Sequence, residues 1–189
     1  MRPLWWGRLK QKERTMFELH LDMDGVLVDL YAQPWREAIA AESVEVFLDA
    51  APLVDTEELR KHLRYTRKLS GRVVINTHTP EGASKDYQER VRLAKVIWLA
   101  EHIGLDSFDR FVCTPYGTDK TAFITLNSTE VAVVDDNPTI REQFKAKGHQ
   151  AMTEKDLFEW IEAMKQARKD VLDLGWDKDD LDDFMGAGE

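Results

Sequence analysis

Two pairs of aspartates stand directly after apolar runs in this sequence. Asp22 and Asp24 follow "FELHL" with one residue between them, and Asp135 and Asp136 follow "VAVV". A carboxylate at the end of a buried strand costs free energy unless something cationic meets it. Because the same costly pattern occurs twice, the sequence predicts a site built from carboxylates.

Carboxylates gathered in one place suit a particular kind of chemistry. They repel one another, so a hard divalent cation is their natural neutraliser, and oxygen ligands favour Mg²⁺. A metal open to water could clamp a substrate phosphate, and one carboxylate could then attack phosphorus to give an aspartyl-phosphate. A second carboxylate could protonate the leaving oxygen and later activate water, while a threonine hydroxyl and a lysine ammonium stabilise the transferring group.

The elements that must position these residues alternate along the chain. Strand patterns cover residues 17–21, 72–76, 110–113, 131–134 and 149–152, and helix patterns cover 56–70, 85–103, 137–148 and about 155–168. This alternation predicts a parallel sheet wrapped by helices, in which ligands bind at the carboxyl ends of the strands. The first strand ends at Asp22, the second at Thr77 and the fourth at Asp135, so these side chains should meet at one edge.

Local signals mark where the helices begin. Asp55 with Glu58 three residues later fits a capping box before the helix at 56–70. Ser84 can cap the helix at 85–103, and Asn137 can cap the next one, with proline at its first position. The 26 residues that precede the first of these helices leave room for only two short helices.

Composition and charge limit the class of protein. The 189 residues suit one main domain, and the net charge of −9 argues against broad nucleic-acid binding. The single cysteine, Cys113, fits a reducing, cytoplasmic setting, and no apolar run approaches the roughly 20 residues of a membrane span. We divide the chain into a basic N-terminal extension at 1–15, a core at 16–154 with an insertion at about 30–55, and a C-terminal helix with an acidic tail at 155–189.

Four short motifs carry a resemblance to a known family. "DMDGVLVD", "INT", "DK" and "VVDD" occur in the order and approximate spacing of the four motifs of the haloacid dehalogenase-like (HAD) hydrolases. The chain resembles this family from residue 17 to about residue 152. The resemblance implies an α/β fold, a Rossmann-like three-layer sandwich with a mainly parallel sheet and a small helical cap insertion.

The resemblance also implies roles for individual side chains. Asp22 matches the nucleophile, and Asp24 matches the general acid/base. Thr77 matches the hydroxyl that binds the phosphoryl group, and Lys120 matches the lysine of the third motif. These four residues are the predicted catalytic set.

The cofactor that the resemblance implies is Mg²⁺. Asp22 and Asp135 match direct ligands, and Asp24 matches a ligand through its backbone carbonyl. Asp136 matches either a ligand or a carboxylate just behind the ligands. The predicted metal set is therefore Asp22, Asp24, Asp135 and Asp136.

Asp24 narrows the predicted reaction. Dehalogenases of this family need no acid/base at that position, whereas phosphatases resemble this sequence in having aspartate there. The layout looks most similar to the deoxyribonucleotide 5′(3′)-nucleotidase branch, in "DMDGVLVD", "VFLDAAPL", "KVIWL" and "DKT". This resemblance implies a small phosphorylated substrate, a (deoxy)nucleoside monophosphate.

Several alternatives stay open at the level of sequence. Tyr31, Trp35 and Phe47 could stack on a base or pack the insertion onto the core, and Thr79 rivals Thr77. A site under so short an insertion would also suit the 3′-phosphate end of a nucleic acid, for which Arg60 and Lys61 are candidate phosphate contacts. The third alternative is a non-catalytic HAD-fold interaction module, and the terminal segments could dock on another subunit.

Overall fold

A parallel β-sheet forms the centre of the protein. The structure, a computed structural model, describes residues 17–68, 71–125 and 130–173. The strands are β1 (Phe17–Leu21), β2 (Arg72–Thr79), β3 (Arg110–Pro115), β4 (Glu130–Val134) and β5 (Gln150–Met152). They are all parallel and lie in the order β3-β2-β1-β4-β5. The predicted extension at 1–15 and the acidic tail beyond 173 lie outside the described residues.

Helices cover both faces of this sheet. They are α1 (Trp35–Ala40), α2 (Glu45–Leu48), α3 (Thr56–Lys68), α4 (Lys85–His102), α5 (Pro138–Ala146) and α6 (Glu154–Asp173). On one face, Leu19 and Leu21 of β1 belong to a large apolar core with side chains of α3, α4 and α6. On the other face, β4 packs against Ile140 and Phe144 of α5. The predicted Rossmann-like α/β sandwich is confirmed.

The helix caps predicted from sequence are present. Asp55 Oδ1 accepts the Glu58 N–H at 3.0 Å, and Ser84 Oγ accepts the Tyr87 N–H at 3.2 Å. Asn137 Oδ1 accepts the Thr139 N–H at 2.9 Å. Each side chain thus satisfies an N–H that has no acceptor inside its own helix, which explains why these helices begin where they do.

Strand register brings the ends of three neighbouring strands together. Leu21 is in register with Ile75 of β2 and with Val134 of β4. The Asp22 N–H continues the ladder by donating to the Val134 carbonyl at 2.9 Å. Asp22 and Asp135 therefore emerge side by side, as the sequence predicted.

Two elements are longer than their sequence patterns. Strand β2 does not end at Thr77 but continues to Thr79, because β3 runs beside it as far as Pro115. Helix α6 extends to Asp173, and its residues Leu157 and Ile161 fill the core beside α3. No helix among the described residues has both the length and the apolar character needed to cross a membrane.

The insertion between β1 and α3 is a small cap-like layer. It contains α1, α2 and a 3₁₀ turn at Leu30–Ala32. Phe47 and Val46 of α2 pack against Tyr87 and Val91 of α4. The insertion is also tied to the core by the Trp98 indole, whose Nε1–H donates to the Ala50 carbonyl at 2.7 Å.

Candidate active site

A cleft of about 430 Å³ lies at the carboxyl edge of the sheet, beneath the insertion. Its lining includes all six residues that the sequence predicted for the site: Asp22, Asp24, Thr77, Lys120, Asp135 and Asp136. The structure therefore places in one cleft residues that are more than 100 positions apart in the chain.

Lys120 binds two of the acids at the floor of the cleft. Lys120 is the first residue of the 3₁₀ turn Lys120–Phe123, and it is only 1 % exposed. The Nζ atom lies 2.9 Å from Asp22 Oδ1 and donates to Asp135 Oδ2 at 2.7 Å. Burial by itself would lower the pKa of this ammonium, but the charges of Asp22 and Asp135 outweigh burial and raise it. Lys120 therefore places a positive charge between the two carboxylates.

Asp22, Asp135 and Asp136 could hold a metal ion together. One oxygen of each lies within 4.8 Å of the others. Burial, followed by the charge of Asp22, raises the pKa of Asp135 to about 7 and that of Asp136 to about 6. The cluster has more negative charge than Lys120 compensates. Its donors are all hard carboxylate oxygens, so the residues fit Mg²⁺.

The backbone around this acidic cluster is held from below. Arg141 of α5 donates through Nη1 to the carbonyls of Asp135 and Asp136, at 2.6 and 2.7 Å. The Asn137 N–H donates to Asp135 Oδ1 at 2.9 Å. Sequence reasoning did not assign Arg141 a role, although it stands one helical turn after the Asn137 cap.

Lys95 is a second buried lysine at the site, and the sequence analysis missed it. The side chain comes from α4, is 0 % exposed, and donates three hydrogen bonds from Nζ. The acceptors are Asp24 Oδ2 at 2.6 Å, Thr77 Oγ1 at 2.8 Å and the His78 carbonyl at 2.9 Å. A signal was available in the sequence, because position 95 falls on the face of α4 that carries Val91 and Trp98.

Lys95 separates the environment of Asp24 from that of Asp22. The Asp24 side chain is 20 % exposed, whereas the Lys95 side chain that binds it is fully buried. Burial is the largest effect on the Asp24 carboxyl and raises its pKa, while Lys95 opposes the rise and Asp22 adds to it. The two aspartates of "DMD" thus meet different lysines from different elements.

The structure distinguishes between the two candidate threonines. Thr77 Oγ1 accepts from Lys95, so its own O–H can donate to a group in the cleft. Thr79 Oγ1 instead points to the Thr114 carbonyl of β3, at 3.5 Å. The contacts favour Thr77 as the hydroxyl of the site.

Aromatic side chains form the upper wall of the cleft. The rings of Tyr31 and Trp35 pack edge to face with their centroids 5.9 Å apart. The rings of His78 and Tyr116 pack in the same way, with a centroid distance of 5.7 Å. Tyr31 is 53 % exposed, and its hydroxyl bonds to Asp136; burial and that carboxylate both raise the tyrosine pKa. Phe47 is buried and packs the insertion on α4, although its edge also reaches the cleft.

Arg60 and Lys61 do not line the cleft. Arg60 donates to the carbonyls of Ile103 and His102 at the end of α4, at 2.7 and 3.2 Å. Lys61 pairs with Glu57 on its own helix at 3.1 Å. The expectation that these two contact a phosphate in the cleft is wrong, because α3 carries them away from the carboxyl edge towards the opposite end of α4.

Comparison of the chain with models of known protein families and with curated proteins finds no match.

Proposed function

We propose that this protein is a Mg²⁺-dependent phosphomonoesterase of the HAD type, which hydrolyses a nucleoside monophosphate through an aspartyl-phosphate on Asp22. The observation that carries the proposal is the division of the carboxylates between two buried lysines. Lys120 contacts Asp22 and Asp135, whereas Lys95 contacts Asp24 and Thr77. A nucleophile and an acid/base need different environments, and this arrangement supplies them.

In the first step, an Asp22 carboxylate oxygen attacks phosphorus and the bond from phosphorus to the ester oxygen breaks. Lys120 holds Asp22 in position and stabilises the charge that develops on the transferring group. Thr77 donates its hydroxyl proton to a phosphoryl oxygen. Asp24, in its protonated form, gives its proton to the leaving oxygen, so the alcohol departs neutral.

In the second step, water attacks the phosphorus of the aspartyl-phosphate. Asp24, now a carboxylate, removes a proton from that water, and the bond from phosphorus to Asp22 oxygen breaks. Inorganic phosphate leaves, and both aspartates return to their starting state. Asp22, Asp135 and Asp136, together with the backbone carbonyl of Asp24, would hold the magnesium ion. When bound there, the ion would supply positive charge that offsets the negative charge of the phosphate.

The lining of the cleft supports a substrate with one phosphate and one flat ring. Stacking of a base on aromatic side chains contributes about 1–3 kcal/mol, and Tyr31, Trp35 and Tyr116 offer such surfaces. Among the described residues of the lining, Lys120 is the only lysine or arginine, and Glu81 adds a negative charge. A nucleic-acid end would need cations along its phosphate backbone, so these contacts favour the mononucleotide.

The same residues argue against a non-catalytic module. Burying a lysine ammonium is costly unless its partners compensate. Two fully buried lysines contact the carboxylates of one cleft, and such a concentration of buried charge is typical of active sites. An interaction surface has no need for them.

The test is a phosphatase assay with and without Mg²⁺ on the wild type, Asp22→Asn and the control Asp86→Asn. Asp86 is an exposed carboxylate in the first turn of α4, outside the cleft. We expect metal-dependent turnover in the wild type and the control, and its loss in Asp22→Asn. Metal-dependent turnover that survives in Asp22→Asn would refute the nucleophile.

A substrate panel tests the second part of the proposal. It compares 5′- and 3′-nucleoside monophosphates with 3′-phosphorylated oligonucleotides at equal phosphate concentration. We expect kcat/KM to be highest for a mononucleotide. A clear preference for the oligonucleotide would refute the substrate assignment while leaving the chemistry intact.

A further inference from the structure

Three polar side chains are buried together beneath the cleft, and the proposed chemistry does not use them. Glu18 and His20 lie on β1 and Asn76 lies on β2, with exposures of 0 %, 0 % and 1 %. None of the three lines the cleft. They face the layer of α5, where neighbouring β4 places the apolar side chains Val131 and Val133. Polar groups in such a place cost free energy, so their contacts need a reason.

The three side chains form a continuous hydrogen-bonded network that reaches Lys120. Asn76 Nδ2 lies 3.0 Å from the Lys120 carbonyl oxygen and 3.0 Å from His20 Nδ1. His20 Nε2 lies 2.7 Å from Glu18 Oε1. The Glu18 carboxylate also accepts the Thr125 N–H at 3.1 Å.

The partners fix the direction of every bond in this network. A carbonyl oxygen only accepts, so the Lys120 carbonyl requires the Asn76 amide to present its NH₂ group. That NH₂ group also faces His20 Nδ1, which must therefore accept. The His20 hydrogen then resides on Nε2 and is donated to Glu18.

The network holds both ends of one short segment. The bond from Asn76 holds the carbonyl of Lys120, and the bond to Glu18 holds the amide of Thr125. Between them lies the 3₁₀ turn Lys120–Phe123, which is only one turn long and depends on its surroundings for its position. Hydrogen bonds at both of its ends restrain the position of such a segment.

We infer that Glu18, His20 and Asn76 are positioning residues that hold the 120–125 segment, and thereby set the Lys120 ammonium between Asp22 and Asp135. This inference rests on the proposed function, because it assigns the network to the same reaction. The hydrogen bonds of this network involve neither the side chain of Thr77 nor the aromatic wall. Its loss should therefore lower kcat and leave substrate binding nearly intact.

Two substitutions at His20 separate positioning from packing. In His20→Asn, the amide oxygen lies near the former Nδ1 and can still accept from Asn76. In His20→Leu, a side chain of similar size offers no acceptor. Both variants lose the bond to Glu18, so they differ mainly in whether the Asn76 amide is still held.

The assay uses p-nitrophenyl phosphate with Mg²⁺ and compares kcat, KM and melting temperature. We expect His20→Leu to lower kcat by about 10- to 100-fold, because a misplacement of about 1 Å costs on this order. We expect KM to change less than about threefold, and His20→Asn to retain most of the wild-type kcat. Leu157→Ala, which opens a cavity in the core on the opposite face of the sheet from the network, serves as a matched control for lost stability.

Thr125→Pro tests the other end of the network without changing a buried side chain. It removes the N–H that Glu18 accepts. The preceding residue, Ile124, has φ −62° and ψ 135°, which is the backbone conformation that a following proline favours. We expect a fall in kcat here too, so the inference stays testable if His20→Leu does not fold.

The outcomes are distinct. Equal kcat in His20→Leu, Thr125→Pro and the wild type would overturn the inference alone. A kcat that simply follows the melting temperature, with Leu157→Ala as impaired as the network variants, would also overturn it. Absence of wild-type turnover of both p-nitrophenyl phosphate and the nucleoside monophosphates would overturn the proposed function, and the inference with it.

Discussion

Replacing Lys95 with methionine tests the structure most directly, because the two side chains have similar length and only one carries a charge. The Lys95 ammonium donates to three acceptors at 2.6, 2.8 and 2.9 Å and is 0 % exposed. Removing one partner of a buried ion pair costs about 3–5 kcal/mol. Asp24 is 20 % exposed and can regain some water, so we expect the lower end, about 3 kcal/mol less free energy of unfolding.

The same variant should also lose activity. Lys95 holds both the Asp24 carboxylate and the Thr77 hydroxyl. General acid–base catalysis contributes about 10²- to 10⁴-fold to a rate, and a misaligned Asp24 loses much of this. We expect kcat to fall about 100-fold. Urea denaturation measures the first effect, and steady-state hydrolysis of p-nitrophenyl phosphate measures the second.

Lys85→Met on the same helix is the matched control, because Lys85 is exposed in the first turn of α4. It should change neither quantity appreciably. The double variant Asp24→Asn/Lys95→Met adds a check. With no carboxylate at position 24, the Lys95 substitution should cost less, with a coupling of about 1–3 kcal/mol. The expected loss in the free energy of unfolding of Lys95→Met is about 3 kcal/mol. A measured loss below about 1 kcal/mol, together with a wild-type kcat, would refute the role assigned to this lysine.

Two further predictions concern the acidic cluster. Asp24→Asn should reduce kcat more than Mg²⁺ affinity, because the backbone carbonyl predicted to bind the metal stays in place. Calorimetric titration measures the Mg²⁺ affinity and the phosphatase assay measures kcat. Equal losses in the two quantities would contradict this division of roles. Gly25→Ala should lose about 1–3 kcal/mol of stability and most of its Mg²⁺ affinity. Gly25 has φ 76°, and an added Cβ would lie 2.5 Å from Asp136 Oδ2; a variant with wild-type urea midpoint and metal affinity would refute this close packing.

Sequence patterns predicted the parts of this protein that depend on local chemistry. Apolar runs that stop at aspartate predicted where β1 and β4 end, because a carboxylate in a packed core is costly unless a partner compensates it. Ser84 and Asn137 predicted helix starts, because capping needs only residues that are neighbours in the chain. The convergence of Asp22 and Asp135 then followed from the parallel arrangement of the strands.

Contacts between distant elements could not be predicted in the same way. Lys95 lies 18 residues from Thr77 and 71 from Asp24, and only the packing of α4 on the sheet joins them. The apolar pattern of "FELHL" predicted a buried strand, but not that its alternate residues Glu18 and His20 would form one hydrogen-bonded network with Asn76. Arg60 stands in a basic stretch that suggested phosphate contact, yet the direction of α3 turns it to the carbonyls of α4.

The position of β1 in the sheet has a consequence for the newly made chain. Phe17 is in register with Glu130, so the second neighbour of β1 is synthesised more than 100 residues after β1 itself. At the usual pace of translation this delay is roughly 5–20 s. During that time β1 can pair with β2 alone, and its other edge is exposed to unwanted partners. Asp22 and Asp135 meet only when β4 arrives, so the acidic cluster of the cleft is assembled late in folding.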